Sequence, residues 1–178
     1  MKTPFFVTGL PRSRSAWMAN FLTTDRTLCY HDPVPGTMLH IIGNDERTIG
    51  ASGPELMTEF EALSNFYPSA PWVVLLRNPD EAQASFDALM NRECVRLNGW
   101  ATEAVWEARK LTLKQLCVKP MVMAIDTEDL DDEGQASRVW NWLLPNIQFD
   151  HQRWKLLKNL NIQQHFTKRL TLLAKEGI

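Results

Sequence analysis

Cysteine is scarce in this chain of 178 residues: there are three, Cys29, Cys94 and Cys117, an odd number without any Cys-x-x-Cys spacing. That rules against a disulfide framework and leaves no zinc motif. A strong charge excess is also missing, since 19 Lys and Arg stand against 21 Asp and Glu for a net charge of −2. A general nucleic-acid binder normally carries a basic excess, so no such partner is expected and each local arginine needs a local explanation. No apolar run approaches the roughly 20 residues of a membrane span. The opening Met1-Lys2-Thr3-Pro4 leads within a few residues into an arginine-bearing loop, which is not the pattern of a signal peptide. Internal repeats and low-complexity stretches are absent too. These absences predict a soluble protein of a reducing cytoplasm, with no membrane partner, folded as one domain over residues 1–178. With 44% hydrophobic residues, the chain can close one substantial core.

What is present is an alternation of short apolar runs and helical patterns. Phe5 to Val7 reads as a strand, and a helix follows over 13–24 with Trp17, Met18, Phe21 and Leu22 on one face. A second strand is expected over 27–30. The segment from His31 to Gly53 is polar and turn-rich, with a helical turn expected over 38–42, and its place after a strand end predicts part of an acceptor pocket. Ser52 is predicted to cap a helix with Pro54 and Glu55 in its first turn and a buried stripe of Leu56, Phe60, Leu63 and Phe66.

Pro71 to Leu76 is a continuous apolar run, as in a central parallel strand buried on both faces. Asn78 should cap a helix over 79–91. Asn98-Gly99 breaks the pattern, and a helix over 102–116 carries apolar Val105, Trp106, Leu111, Leu113 and Leu116. A strand over 121–125 precedes acids at 126, 128, 129, 131, 132 and 133. Such a cluster reads as a solvated turn favouring a helix N-terminus rather than a Mg²⁺ site, and no metal is expected. The next helix carries Val139, Trp140, Leu143 and Leu144 and ends at Pro145. From Phe149 onward an amphipathic helix or helix pair should pack on the sheet; the alternative has Arg153, Lys155 or Lys158 reaching a ligand. Trp17, Trp72, Trp106 and Trp140 all fit core positions. The order of elements predicts an α/β fold, a three-layer parallel sheet with a helical C-terminal tail and its site at the carboxyl ends of the strands.

Chemistry gathers at the first of those ends. Pro11-Arg12-Ser13-Arg14-Ser15-Ala16-Trp17 puts two arginines and two serines at the start of a helix, where unpaired amides and the dipole favour an anion. It reads as a P-loop-type phosphate-binding loop, but not a Walker A loop, because Ser15 occupies the candidate lysine position. In this order the loop resembles the 5′-phosphosulfate loop of the PAPS-dependent sulfotransferases, with arginine at 14 in place of the usual glycine and alanine at 16 in place of a hydroxyl. Arg77 at a strand end and Ser85 eight residues on have the spacing with which that family holds the 3′-phosphate of its cofactor, and a guanidinium with a hydroxyl suits phosphate oxygens. His31-Asp32-Pro33 is similar to the Phe-Glu-Pro of carbohydrate sulfotransferases, whose acid is the proposed base. Asp126-Thr127-Glu128-Asp129-Leu130 resembles a family Tyr-Glu-Asp-Leu segment, with Thr127 at the tyrosine. The likeness runs from Phe5 to about Leu144, and the Arg-Lys-Gly run of many cytosolic members is missing.

The resemblance implies sulfuryl transfer from PAPS to a hydroxyl or amine of a small-molecule or carbohydrate-like acceptor. Arg12 would neutralise charge on the leaving phosphate; Pro11, Ser13, Arg14, Ser15, Ala16, Trp17, Arg77 and Ser85 would hold the cofactor; Asp32, with His31 as its competitor, would take the acceptor proton. Two other readings stay open: a nucleotide or small-molecule kinase of the same fold, and a non-catalytic nucleotide-binding protein that retains the cradle.

Overall fold

The structure, a computed structural model, describes residues 3–34, 46–92, 102–158 and 160. Its centre is β1 (Phe5–Gly9), all five residues of which are buried. Alternation along this strand sends Phe5 and Val7 to one face and Phe6 to the other, so each face receives aromatic or branched cover. Around it lie β2 (Thr27–His31), β3 (Thr48–Ser52), β4 (Trp72–Leu76) and β5 (Val122–Asp126), all parallel, in the order β2-β3-β1-β4-β5.

Helices cover both faces. On one lie α1 (Ser15–Leu22), α5 (Glu133–Leu143) and α6 (His151–Leu157), which pack Trp17, Phe21, Val139, Trp140 and Trp154 against the sheet. On the other lie α2 (Leu56–Phe66), α3 (Pro79–Arg92) and α4 (Glu103–Leu116), contributing Phe60, Leu63, Phe86, Trp106 and Leu113. This is the expected three-layer α/β fold with a helical C-terminal element. The four tryptophans assigned to the core are at most 4% exposed. Asn78 caps α3 as expected, its Oδ1 accepting from the amides of Asp80 and Glu81 at 3.0 and 3.4 Å. Asp132, from the acidic cluster, caps α5 through the Gln135 amide at 2.9 Å.

One strand is additional. Thr48-Ile49-Gly50-Ala51-Ser52 has a single large apolar residue and a central glycine, so it reads as loop, yet it forms β3 between β1 and β2. The glycine is what the packing demands: a Cβ at Gly50 would stand 2.1 to 2.5 Å from carbons of the buried Phe5 ring. Ser52 therefore does not cap α2. It ends β3 and its hydroxyl donates to the Ser15 carbonyl at 2.8 Å. Phe66, expected in a buried stripe, is 66% exposed as the last residue of its helix, and the apolar Leu111 is 59% exposed, turned away from the Trp106–Leu113–Leu116 face. The helical turn expected over 38–42 and the Asn98-Gly99 break lie outside the described residues, as does the chain after Leu160. Among the described residues no helix is long and apolar enough to cross a membrane.

Candidate active site

The carboxyl ends of β1, β2, β4 and β5 converge on one cleft of about 800 Å³. Its floor is the loop between β1 and α1. Gly9 permits the start of that loop, since a Cβ there would come within 2.6 Å of the Leu75 carbonyl oxygen on β4. Arg12 and Arg14 then adopt left-handed backbone, with φ of 73° and 60°, and Asp32 at the end of β2 does so with φ of 45°. Only Met121, just before β5, shares this property among the described non-glycine residues. Each such residue costs on the order of 1–3 kcal/mol, so three of them around one cleft mark a site that the surrounding fold holds under strain. Arg14 occupies the N-cap position of α1 without a side-chain cap, leaving the first amides of the helix to another partner. The fully buried Ser13 hydroxyl finds no hydrogen-bond partner among the described residues.

Cations from separate segments meet here. Arg12 Nε donates to Ser85 Oγ on α3 at 3.0 Å, and Arg77 Nη1 donates to the Arg12 carbonyl at 2.7 Å. The two guanidiniums thus line one cleft, and Ser85 sits beside them rather than alone on a helix surface. Arg14 also lines the cleft but is already paired there: Nη1 and Nη2 donate to the two carboxylate oxygens of Asp131 at 2.9 and 3.1 Å, and Nη1 also to the Thr127 carbonyl at 3.1 Å. Trp17 is buried against Phe21, with ring centroids 4.7 Å apart, and its Nε1 donates to the Leu157 carbonyl at 2.7 Å, while one edge still reaches the cleft.

Acids and a histidine line the β2 side. His31 Nε2 lies 3.3 Å from both Ser15 Oγ and Asp32 Oδ2. Burial raises the Asp32 pKa above its ordinary value; His31 pulls it down and Glu55 pushes it up again. Glu55 is itself held by Arg109 from α4 at 2.7 Å. Gly53 presses close beneath, since a Cβ there would meet Asp32 Oδ1 at 2.6 Å. Pro33 and Val34 continue the wall, so the described start of the His31–Gly53 segment does border the cleft; Phe86, Leu89 and Met90 of α3 form an apolar side.

The C-terminal basic residues divide. Arg153 closes the end of α1, donating from Nε to the Asn20 and Phe21 carbonyls at 2.9 and 3.1 Å, and Lys155 is exposed. Lys158 instead lines the cleft, its ammonium 4.7 Å from the centre of the Trp154 ring and bonded to the Asp131 carbonyl at 3.1 Å. Glu55 and Asp131 are cleft residues that sequence reasoning missed. Glu55 reads as a first-turn helix acid and Asp131 as one of six acids in a solvated turn; their partners, Arg109 and Arg14, are 54 and 117 residues away. Among the described residues no group of His, Cys, Asp or Glu could hold a metal ion.

No protein-family model and no curated protein matches the sequence. Similarity is found among solved structures. A sulfotransferase from Alicyclobacillus acidocaldarius superposes with a TM-score of 0.62 at 12% identity, over 97% of this chain and 91% of that one. Mouse sulfotransferase SULT7A1 complexed with PAP gives 0.59 at 12% identity, over 89% and 63%. The sulfotransferase domain from the curacin biosynthetic pathway gives 0.56 at 16% identity, over 86% and 77%. The chain has the fold of the sulfotransferases.

Proposed function

We propose that the chain, acting as one unit over residues 1–178, is a sulfotransferase that uses 3′-phosphoadenosine 5′-phosphosulfate as donor and sulfates a hydroxyl or amine. The observation that carries this reading is the meeting of Arg12 and Arg77 in one cleft beside the open N-terminus of α1, where Arg77 bonds the Arg12 carbonyl at 2.7 Å and Arg12 in turn bonds Ser85 at 3.0 Å. Two cationic groups from different strand ends suit a ligand with phosphates at two positions. A solved relative of this fold holds PAP, which supports a bisphosphonucleotide as the ligand class.

The donor would supply an activated sulfuryl group. In the transfer the sulfur–oxygen bond to the nucleotide phosphate breaks as the bond to the acceptor oxygen or nitrogen forms, and the electron pair stays on the phosphate. Arg12 and the loop amides would balance that charge, while Arg77 and Ser85 hold the nucleotide at its other phosphate. Asp32 would accept the acceptor proton. Its raised pKa strengthens it as a base once ionised, and His31, at 3.3 Å, would orient it or share the proton. A kinase reading is less well supported, because Ser15 stands at the position of the Walker lysine.

The test is ligand-dependent stability. Adenosine 3′,5′-bisphosphate at 100 times its dissociation constant should stabilise the protein by about 2.7 kcal/mol, while ATP with Mg²⁺ leaves the midpoint in place. A shift with ATP and Mg²⁺ alone would favour the kinase.

A further inference from the structure

Glycine is the residue that enters left-handed backbone without steric cost, yet the second left-handed position of this phosphate loop is held by Arg14. The compensation is visible in its side chain. Both terminal nitrogens engage Asp131 in a fork, and Nη1 also reaches the Thr127 carbonyl.

The anchor at the far end of that fork is rigid. Asp131 ends a short 3₁₀ turn (Asp129–Asp131) whose Leu130 is fully buried, and the Leu130 carbonyl accepts from Trp154 Nε1 at 3.0 Å. The Asp131 carbonyl takes Lys158. The turn is therefore braced by α6, which also receives Trp17 from the helix that the loop opens. A closed circuit results, running from loop to turn, turn to α6, and α6 back to α1.

We infer that Arg14 is a positioning residue: its tether to Asp131 holds the loop in the left-handed conformation that turns the amides toward a bound phosphate, doing by side-chain anchorage what a glycine does by lacking a Cβ. The inference rests on the nucleotide-binding reading and concerns this chain's own way of keeping the cradle open. The Arg14 guanidinium is committed to Asp131 and Thr127, so its contribution reaches the phosphate through the backbone.

The mechanism gives a pattern that a merely structural ion pair would not. Asp131→Ala releases the tether while leaving an arginine at a left-handed position, so the loop relaxes and affinity for adenosine 3′,5′-bisphosphate should fall about tenfold. Arg14→Gly in the Asp131→Ala background should restore affinity to within about threefold of wild type, because glycine holds the conformation unaided. Arg14→Ala in the same background should not. Calorimetric titration of the four proteins at a temperature where all are folded reads the pattern directly, with Asp131→Asn as the substitute should the alanine variant unfold. Unchanged or tighter binding by Asp131→Ala, or equal affinity of the glycine and alanine double variants, would overturn the inference. Wild-type protein that binds no bisphosphonucleotide would instead remove the reading beneath it. In that case urea midpoints decide the backbone claim alone: Arg14→Gly must be more stable than Arg14→Ala, and the reverse order would overturn it.

Discussion

Gly50→Ala probes the least obvious strand of the sheet. The added methyl would lie 2.1 to 2.5 Å from three carbons of the Phe5 ring, which has no solvent exposure and packs between β1 and the α1 layer. Neither ring nor backbone has free space to give, because β3 is hydrogen-bonded on both sides, to β1 and to β2. Overpacking of this kind costs about 1–3 kcal/mol. Alanine returns roughly 0.5–1 kcal/mol by restricting the unfolded chain. The net expectation is a loss of about 1 kcal/mol, or about 2–4 °C in the thermal midpoint for a chain of this size. Phe5→Leu should relieve the clash, so the double variant should be more stable than the sum of the single losses by at least about 1 kcal/mol. Urea denaturation of the four proteins measures this. A Gly50→Ala protein as stable as wild type, or strictly additive losses, would refute the packing argument and with it the account of why β3 carries a glycine.

Other expectations concern the site. The rate should fall with acid as Asp32 is protonated, with the limb above the ordinary carboxylate range because burial and Glu55 raise its pKa. Asp32→Asn should remove the limb, and His31→Ala should move it upward, since His31 lowers that pKa. A raised carboxyl pKa also means that ionisation costs stability: the contribution is fully present below the unfolded value of about 3.9 and is lost as pH rises through the folded one, so Asp32→Asn should gain relative stability above that window. Gly53→Ala forces the Asp32 carboxylate to move and should lower turnover by about 10 to 100-fold, read from initial rates with saturating donor. Cys29 is buried in the core and its thiol pKa is pushed far up, so iodoacetamide should leave it unlabelled in the native protein and label it once urea unfolds the chain.

The architecture was legible in the sequence wherever periodicity was strong. Trp72 to Leu76 reads as a buried strand because no polar residue interrupts it, and Trp106, Trp140 and Leu143 announce buried helix faces by their spacing. The loop between β1 and α1 was legible as a candidate site because an apolar run ends in a glycine, a proline and clustered serines and arginines just before a helical pattern. β3 was not, because its glycine is explained only by the Phe5 ring that fills the space above it. Ser52 looked like a cap for the same reason: without β3, a serine before Pro54 and Glu55 has no better role. The Arg14–Asp131 and Glu55–Arg109 pairs join distant segments and leave no local trace. Spacing could bring Arg12, Arg77 and Ser85 under suspicion, but their hydrogen bonds belong to the folded chain.

The central claim is that one cleft grips a nucleotide by phosphates at two positions, with Arg77 responsible for the second. Calorimetric titration of wild-type and Arg77→Ala protein with adenosine 3′,5′-bisphosphate and with 5′-AMP tests it most directly. Wild type should favour the bisphosphate by about 10 to 150-fold, the equivalent of a charged hydrogen bond of roughly 1.5–3 kcal/mol, and Arg77→Ala should bind the two nucleotides almost equally. A wild-type protein indifferent to the 3′-phosphate, or an Arg77→Ala variant that keeps the full preference, would contradict the account.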